Sequence, residues 1–210
     1  MAHSACAVAV LTVFVVGMSA CSSDVPPPPP ATAESPADAP PSERVVGPLS
    51  EADAAALAVM NDRIKSYVKL HQDVESRLAK LPQDATPQQI DQHQRSFETQ
   101  IRAARSMARQ GDIFTPEAQA VIKRLLASVF EGPDGRQLKA SIMDENPTDV
   151  RIGVNARYPD TVPISTMPPQ VLQTLPELTE DLEYRFINDN LILLDAHAHV
   201  IADFIEDAIP

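Results

Sequence analysis

The sequence predicts a mainly helical α+β fold: an antiparallel helical hairpin or small bundle, followed by a three-stranded antiparallel β-meander carrying one short helix. Three observations predict it. Apolar residues between Leu57 and Leu81 recur at alternating steps of three and four, a helical period. Short loops with Thr-Pro starts then introduce further striped segments. After residue 180 the pattern changes to three short apolar runs separated by turn residues.

The first striped segment opens at Ser50-Glu51-Ala52-Asp53, an N-cap followed by acids. Leu57, Met60, Ile64, Tyr67, His71, Val74, Leu78 and Leu81 then form a seam on one side of a long helix, which Pro82 ends. A helix of that length needs a partner to bury the seam. The next segment supplies one. Thr86-Pro87-Gln88-Gln89 restarts a helix with Thr as cap and Pro at the first helical position, and Ile90, Phe97, Ile101, Ala104 and Ala108 give it a stripe. Gly111 breaks it. Thr115-Pro116-Glu117 starts a third helix, with Ala118, Val121, Ile122, Leu125, Val129 and Phe130 facing inward, and Gly132-Pro133 stops it. A fourth, over about 136–144, carries Leu138 and Ile142, and Pro147 closes the region.

From Val150 the character shifts. Arg151–Val154 reads as short and extended, and the Pro-rich passage YPDTVPISTMPP follows. Pro168-Pro169 opens a short helix through Val171, Leu172 and Leu175. Leu182–Ile187 is the first strand, Asn188-Asp189-Asn190 is turn chemistry, and Leu191–Leu194, apolar on both faces, is the central strand. Val200–Ile205 is the third strand, with Ala202 and Phe204 on one face and Asp203 on the other. The predicted organisation is 1–20 signal peptide, 21–48 linker, 49–147 helical domain and 148–210 small α+β module.

The start of the chain predicts an address. Ala7–Val16 is too short to span a bilayer and fits the apolar core of a secretory signal peptide. Met18-Ser19-Ala20-Cys21 follows, and this stretch resembles the lipobox of bacterial lipoproteins. The resemblance implies that the Cys21 sulfur takes a diacylglyceryl group, that the chain is cut before it, and that the new amine is acylated. Several acyl chains hold a protein where one binds marginally. Ser22 after the cysteine implies the outer membrane, with the protein facing the periplasm. Cys6 leaves with the signal peptide, so no cysteine remains for a disulfide, a thiolate site or a nucleophile. SSDVPPPPPATAESPADAPPSERVVGP has almost no large apolar residue and reads as a disordered tether. Pro26–Pro30 favours polyproline II at about 3.1 Å per residue.

The net charge of −12 and the absence of Trp argue against a nucleic-acid partner. No G-x-S-x-G, H-E-x-x-H or glycine-rich phosphate loop occurs. The expected function is therefore a non-catalytic interaction or structural role in the cell envelope, without a cofactor. The expected partners are the membrane through the lipid and a protein, or a second copy, through the helices. Tyr184 and Arg185 are the candidate interaction residues. They point to opposite faces of a strand, one to the core and one to the surface, and an ion pair of Arg185 with Glu183 or Asp203 is the simple expectation.

LLDAHAHV, residues 193–200, resembles the metal-binding strand of an amidohydrolase. That site needs further ligands from later strands of a barrel of about 200 residues or more, and the segment after His199 contains no His. The alternative function is a metal-responsive or metal-buffering periplasmic protein using His197 and His199. It holds if 195–199 is extended, so that Asp195, His197 and His199 share a face. If the segment is a turn, both His are exposed. His71, on the seam, is expected to be a partly buried, hydrogen-bonded histidine rather than a ligand.

The block VNARYPDTVPISTMPPQVLQTLPEL through LEYRFINDNLILLDAHAHVIADFI, about residues 152–209, resembles a C-terminal module of uncharacterised proteins of Gram-negative bacteria, a resemblance that implies no activity. Its PP, its helix ending in LP and its closing hairpin are also loosely similar to the RcnB-like periplasmic proteins, some of which serve nickel and cobalt homeostasis.

Overall fold

A computed structural model describes residues 49–144, 150–160, 162 and 167–210. The expected signal peptide, lipidated Cys21, tether and Pro147 lie outside the described residues. The order is α1 (Glu51–Glu75), α2 (Pro87–Ala104), α3 (Pro116–Phe130), α4 (Gly135–Asp144), α5 (Pro169–Leu172), β1 (Leu182–Ile187), β2 (Asn190–Asp195) and β3 (Val200–Ile205). The fold is α+β and mainly helical, with an antiparallel sheet in the order β1-β2-β3.

The caps form as their chemistry requires. Ser50 Oγ accepts from Asp53 N, Thr115 Oγ1 accepts from Ala118 N, and Thr86 and Gln89 form a reciprocal capping box. Leu57, Met60, Ile64, Tyr67, His71 and Val74 of α1 are all buried, and α1 packs on both α2 and α3. The seam is therefore covered by this chain's own elements. It ends sooner than the pattern suggests. The last residue of α1 is Glu75, Leu78 packs from a turn, and Leu81 is exposed. In α2 only the last turns reach the core. Phe97 and Ile101 are buried, Ile90 is exposed, and Ala108 lies beyond the helix end. Periodicity cannot distinguish a stripe that meets a partner from one that runs past it.

One core joins the helical region to the sheet. It contains Met60 and Ile64 of α1, Ile122 and Leu126 of α3, Val171 of α5, and Leu182, Tyr184, Phe186, Leu191 and Leu193 of the sheet. The sheet's other face is also covered. Tyr158, Val162 and the partly buried Val150, Ile152 and Val154 pack over Ile187, Ile192, Leu194, Ile201 and Phe204. Arg151–Val154, read as short and extended, joins no strand, and its Ile152 and Val154 pack over the sheet. Along the open side of β3, Asn155 N donates to Ile201 O, Ile201 N to Ala156 O, and Tyr158 N to His199 O.

The strand pairs Leu182↔Asp195 through Ile187↔Asn190 leave a tight turn at Asn188-Asp189, where Asn188 adopts φ 55°. A bulge corrects the expected alternation in β3. Leu193 pairs with Asp203 but Leu194 pairs with Ile201, so Ala202 is the extra residue. Ala202 and Ile205 then join the helical core, while Ile201 and Phe204 join the lidded face. Ala202 and Phe204 do not share a face.

Asp203 is fully buried and accepts four backbone N–H bonds. These come from Gly111 (3.1 Å), Ile113 (2.8 Å), Phe114 (2.9 Å) and Phe204 (2.9 Å). Burial pushes its carboxyl up, and the backbone donors pull the other way without cancelling it. It anchors the loop between α2 and α3, where Gly111 takes φ 90°. Asp203→Ala would strand these buried donors and is expected to lower unfolding free energy by about 3 kcal/mol in urea titration. A loss of less than about 1 kcal/mol would show that the loop stands without the carboxylate. Gly135 is fixed by contact instead, because a Cβ there would lie 1.8 Å from Phe130 O. Gly135→Ala is expected to cost at least about 2 kcal/mol in the same measurement, because backbone must move.

Candidate functional site

The site is built where the end of α1 meets the β2–β3 connection. His71 is completely buried. Its Nδ1 donates to Asp195 Oδ2 at 2.7 Å, the assignment that a carboxylate acceptor favours. Tyr67, one turn earlier on the same helix face, donates its hydroxyl to the same oxygen at 2.8 Å. Asp195 Oδ1 accepts from Ala198 N at 2.8 Å. A fully buried carboxylate at the end of β2 is thus satisfied by two side chains of α1 and by its own turn. Arg105 lies over the Tyr67 ring at 4.8 Å, and Phe97 packs against the His71 ring.

The other His71 nitrogen has no such partner. Nε2 is buried without a hydrogen bond. It faces Asp181 Oδ1 at 3.6 Å and Glu75 Oε2 at 3.9 Å, both too long for one. His197 Nδ1 looks into the same space, 3.8 Å from Glu75 Oε1 and 4.0 Å from Asp181 Oδ1. The His71 and His197 ring centroids are 5.6 Å apart. The side chains of His197 and Glu75 are 52% and 47% exposed, so the space opens to solvent. Asp181 precedes β1 and is held by the bond from Ala196 N to its carbonyl. Glu75 lies one turn after His71 and faces the same way.

Burial pulls the His71 imidazole down. The hydrogen bond and charge of Asp195, with the charges of Asp181 and Glu75, outweigh it and hold its pKa above the ordinary value. Burial, with the Asp195 charge and hydrogen bond, raises Tyr67 well above its own.

The alternative set of Asp195, His197 and His199, which needed an extended segment, does not form. Residues 196–199 are a turn, with His199 at φ 58°. Asp195 is spent on the interior. His197 is exposed as a turn predicts, but His199 is half-buried against the Tyr158 ring. Burial and then Arg157 hold the His199 imidazole below its ordinary value. His71 is hydrogen-bonded as the seam suggests, but it is wholly rather than partly buried, and it is bonded through only one nitrogen. Sequence reasoning missed Glu75 and Asp181. The signal available for the first was the His71-x-x-x-Glu75 spacing on a helix, and for the second only the acidic run Glu180-Asp181-Glu183, which reads as a solvated face. Tyr184 sits in the core and Arg185 on the other face beside Glu183, its ion-pair partner. Asp203 is held by the α2–α3 loop instead.

A raised His71 pKa sets a pH dependence. Its contribution to stability is whole below the unfolded value, about 6.5, and is lost as pH rises through the folded one. With chelator present, unfolding free energy should fall across that window in the wild type and not in His71→Phe, as read from urea titrations at a series of pH values. Parallel profiles would contradict this. Compared with protein-family models, with curated proteins and with solved structures, the chain finds no match.

Proposed function

We propose that this chain is a non-catalytic binding protein of the cell envelope, tethered by lipid on Cys21 and facing the periplasm, whose ligand is taken at the His71–Glu75–Asp181–His197 cluster. The observation that carries the binding part is the Nε2 atom of His71, wholly buried, without a hydrogen bond, and aimed at a solvent-open cluster of carboxylates and a second imidazole. A buried polar atom left unpaired costs about 1–3 kcal/mol, which a bound group would relieve. Supporting the tether are Met18-Ser19-Ala20-Cys21 behind an apolar run, and the Pro-rich stretch that follows. Among the described residues no helix is long and apolar enough to cross a membrane. The reading assigns the lipid as the membrane contact and leaves nucleic acid out, on the net charge of −12.

Cells expressing the full chain and fed labelled palmitate should yield a labelled, membrane-pelleting protein. Cys21→Ser should abolish the label and move the protein to the soluble fraction, while His197→Ala should keep both. Label that persists in Cys21→Ser would overturn the tether.

A further inference from the structure

We infer that the cluster is a site for one divalent transition-metal ion of the Zn²⁺ or Co²⁺ type, with His71 Nε2, His197 Nδ1, Glu75 and Asp181 as its ligands. The inference rests on the binding reading above and names the ligand class.

Four features converge. First, His71 is prepared as a ligand. Its Nδ1 proton is committed to Asp195, so in the neutral ring the lone pair lies on Nε2, and that atom faces the cluster. A histidine that ligates a metal commonly donates its other N–H to a carboxylate, which fixes the ring and raises its basicity. Asp195 occupies that place, and Tyr67 and Ala198 N hold Asp195 in turn.

Second, the spacings suit a small ion. Bonds of about 2.0–2.1 Å in a tetrahedron put neighbouring ligand atoms about 3.3 Å apart. The four imidazole–carboxylate contacts here span 3.6 to 4.0 Å, with a different Glu75 oxygen facing each imidazole, and one atom each from His71, Glu75 and His197 lie within 4.8 Å of one another. The shell is slightly open. The two side chains that must swing to close it, Glu75 and His197, are the half-exposed ones, while His71 stays fixed.

Third, the donor set selects the metal. Two imidazoles and two carboxylates suit borderline transition ions, whereas Mg²⁺ and Ca²⁺ favour all-oxygen shells.

Fourth, the ion would sit at the C-terminal end of α1, where the helix dipole favours positive charge, and the last turn of α1 carries no basic residue. A bound ion would tie three segments together: the end of α1, the residue before β1 and the β2–β3 turn.

The test uses the full lipidated chain in detergent, stripped with chelator, and the metals alone as probes. One equivalent of Co²⁺ should give the visible bands of a tetrahedral site, and one equivalent of Zn²⁺ should bleach them. Calorimetry should show Zn²⁺ binding with a stoichiometry of one and no comparable heat from Mg²⁺ or Ca²⁺. His197→Ala and Glu75→Gln, at half-exposed positions that leave the core intact, should each weaken Zn²⁺ binding by at least tenfold. His199→Ala should bind as the wild type does. Asp195→Asn tests the positioning role. It should cost roughly 10–100-fold in affinity and shift the Co²⁺ bands, a signature that lost stability alone would not produce.

Absence of the Co²⁺ bands, equal binding of Ca²⁺, or Zn²⁺ affinity unchanged by both His197→Ala and Glu75→Gln would each overturn the site. Palmitate labelling is independent of all these outcomes, so failure of the metal site and failure of the tether are separately visible.

Discussion

The Asp195 carboxylate is the interaction on which the rest of the structure turns. It lies at zero exposure between a helix and a sheet, where an ion without partners is not tolerated. Tyr67 and His71 meet it from α1, and Ala198 N meets it from its own turn. These bonds fix which turn of α1 faces the sheet end and which way the β2–β3 connection folds. The apolar cluster of Val74, Phe97, Ile101, Ala198 and Val200 then packs around the junction that they define. Apolar burial supplies the bulk of the stabilisation, and the carboxylate supplies its register.

Asp203 does the corresponding work eight residues later in the chain. It too is a buried acid, and it too is satisfied from the helical region, through backbone donors of the loop before α3. The two acids leave the sheet for different helical elements, one toward α1 and one toward the α2–α3 loop. A sheet of three short strands would be marginal alone. Here it is covered on both faces and pinned by polar bonds to the helices. The first acid is also the one that leaves an imidazole nitrogen facing outward, so the fold and the candidate site share one group.

The elements of regular structure were legible because each is written locally. Ser50, Thr86 and Thr115 cap the helices that their positions imply, and Leu182–Ile187 and Val200–Ile205 are strands over the residues their apolar pattern marks. What failed depended on contacts distant in sequence. Nothing local says that Ile90 runs past the core, that Ala202 is a bulge, or that Val150, Ile152, Val154, Tyr158 and Val162 lid a sheet. The candidate site falls between these cases. His71 on an apolar seam was readable as partly buried, and Asp195 with His197 stood out in LLDAHAHV. Their union across 124 positions was not readable, because the spacing of Asp195, His197 and His199 suggested a ligand set of its own. The turn at 196–199 decides against that set by sending one histidine to the site and the other to Tyr158.

The segment bonded along β3 has a consequence for how the protein behaves in company. Unpaired strand edges are templates on which foreign chains can zip. Between Asn155 and Tyr158 this chain spends its own backbone donors and acceptors on that edge. Any polypeptide that would extend the sheet from there must first peel away a loop that is also rooted by Asn155 to Arg105 and by Arg157 to Glu98. The sheet is guarded on that flank against fibrillar stacking by the same segment that covers its face, with Tyr158 serving both.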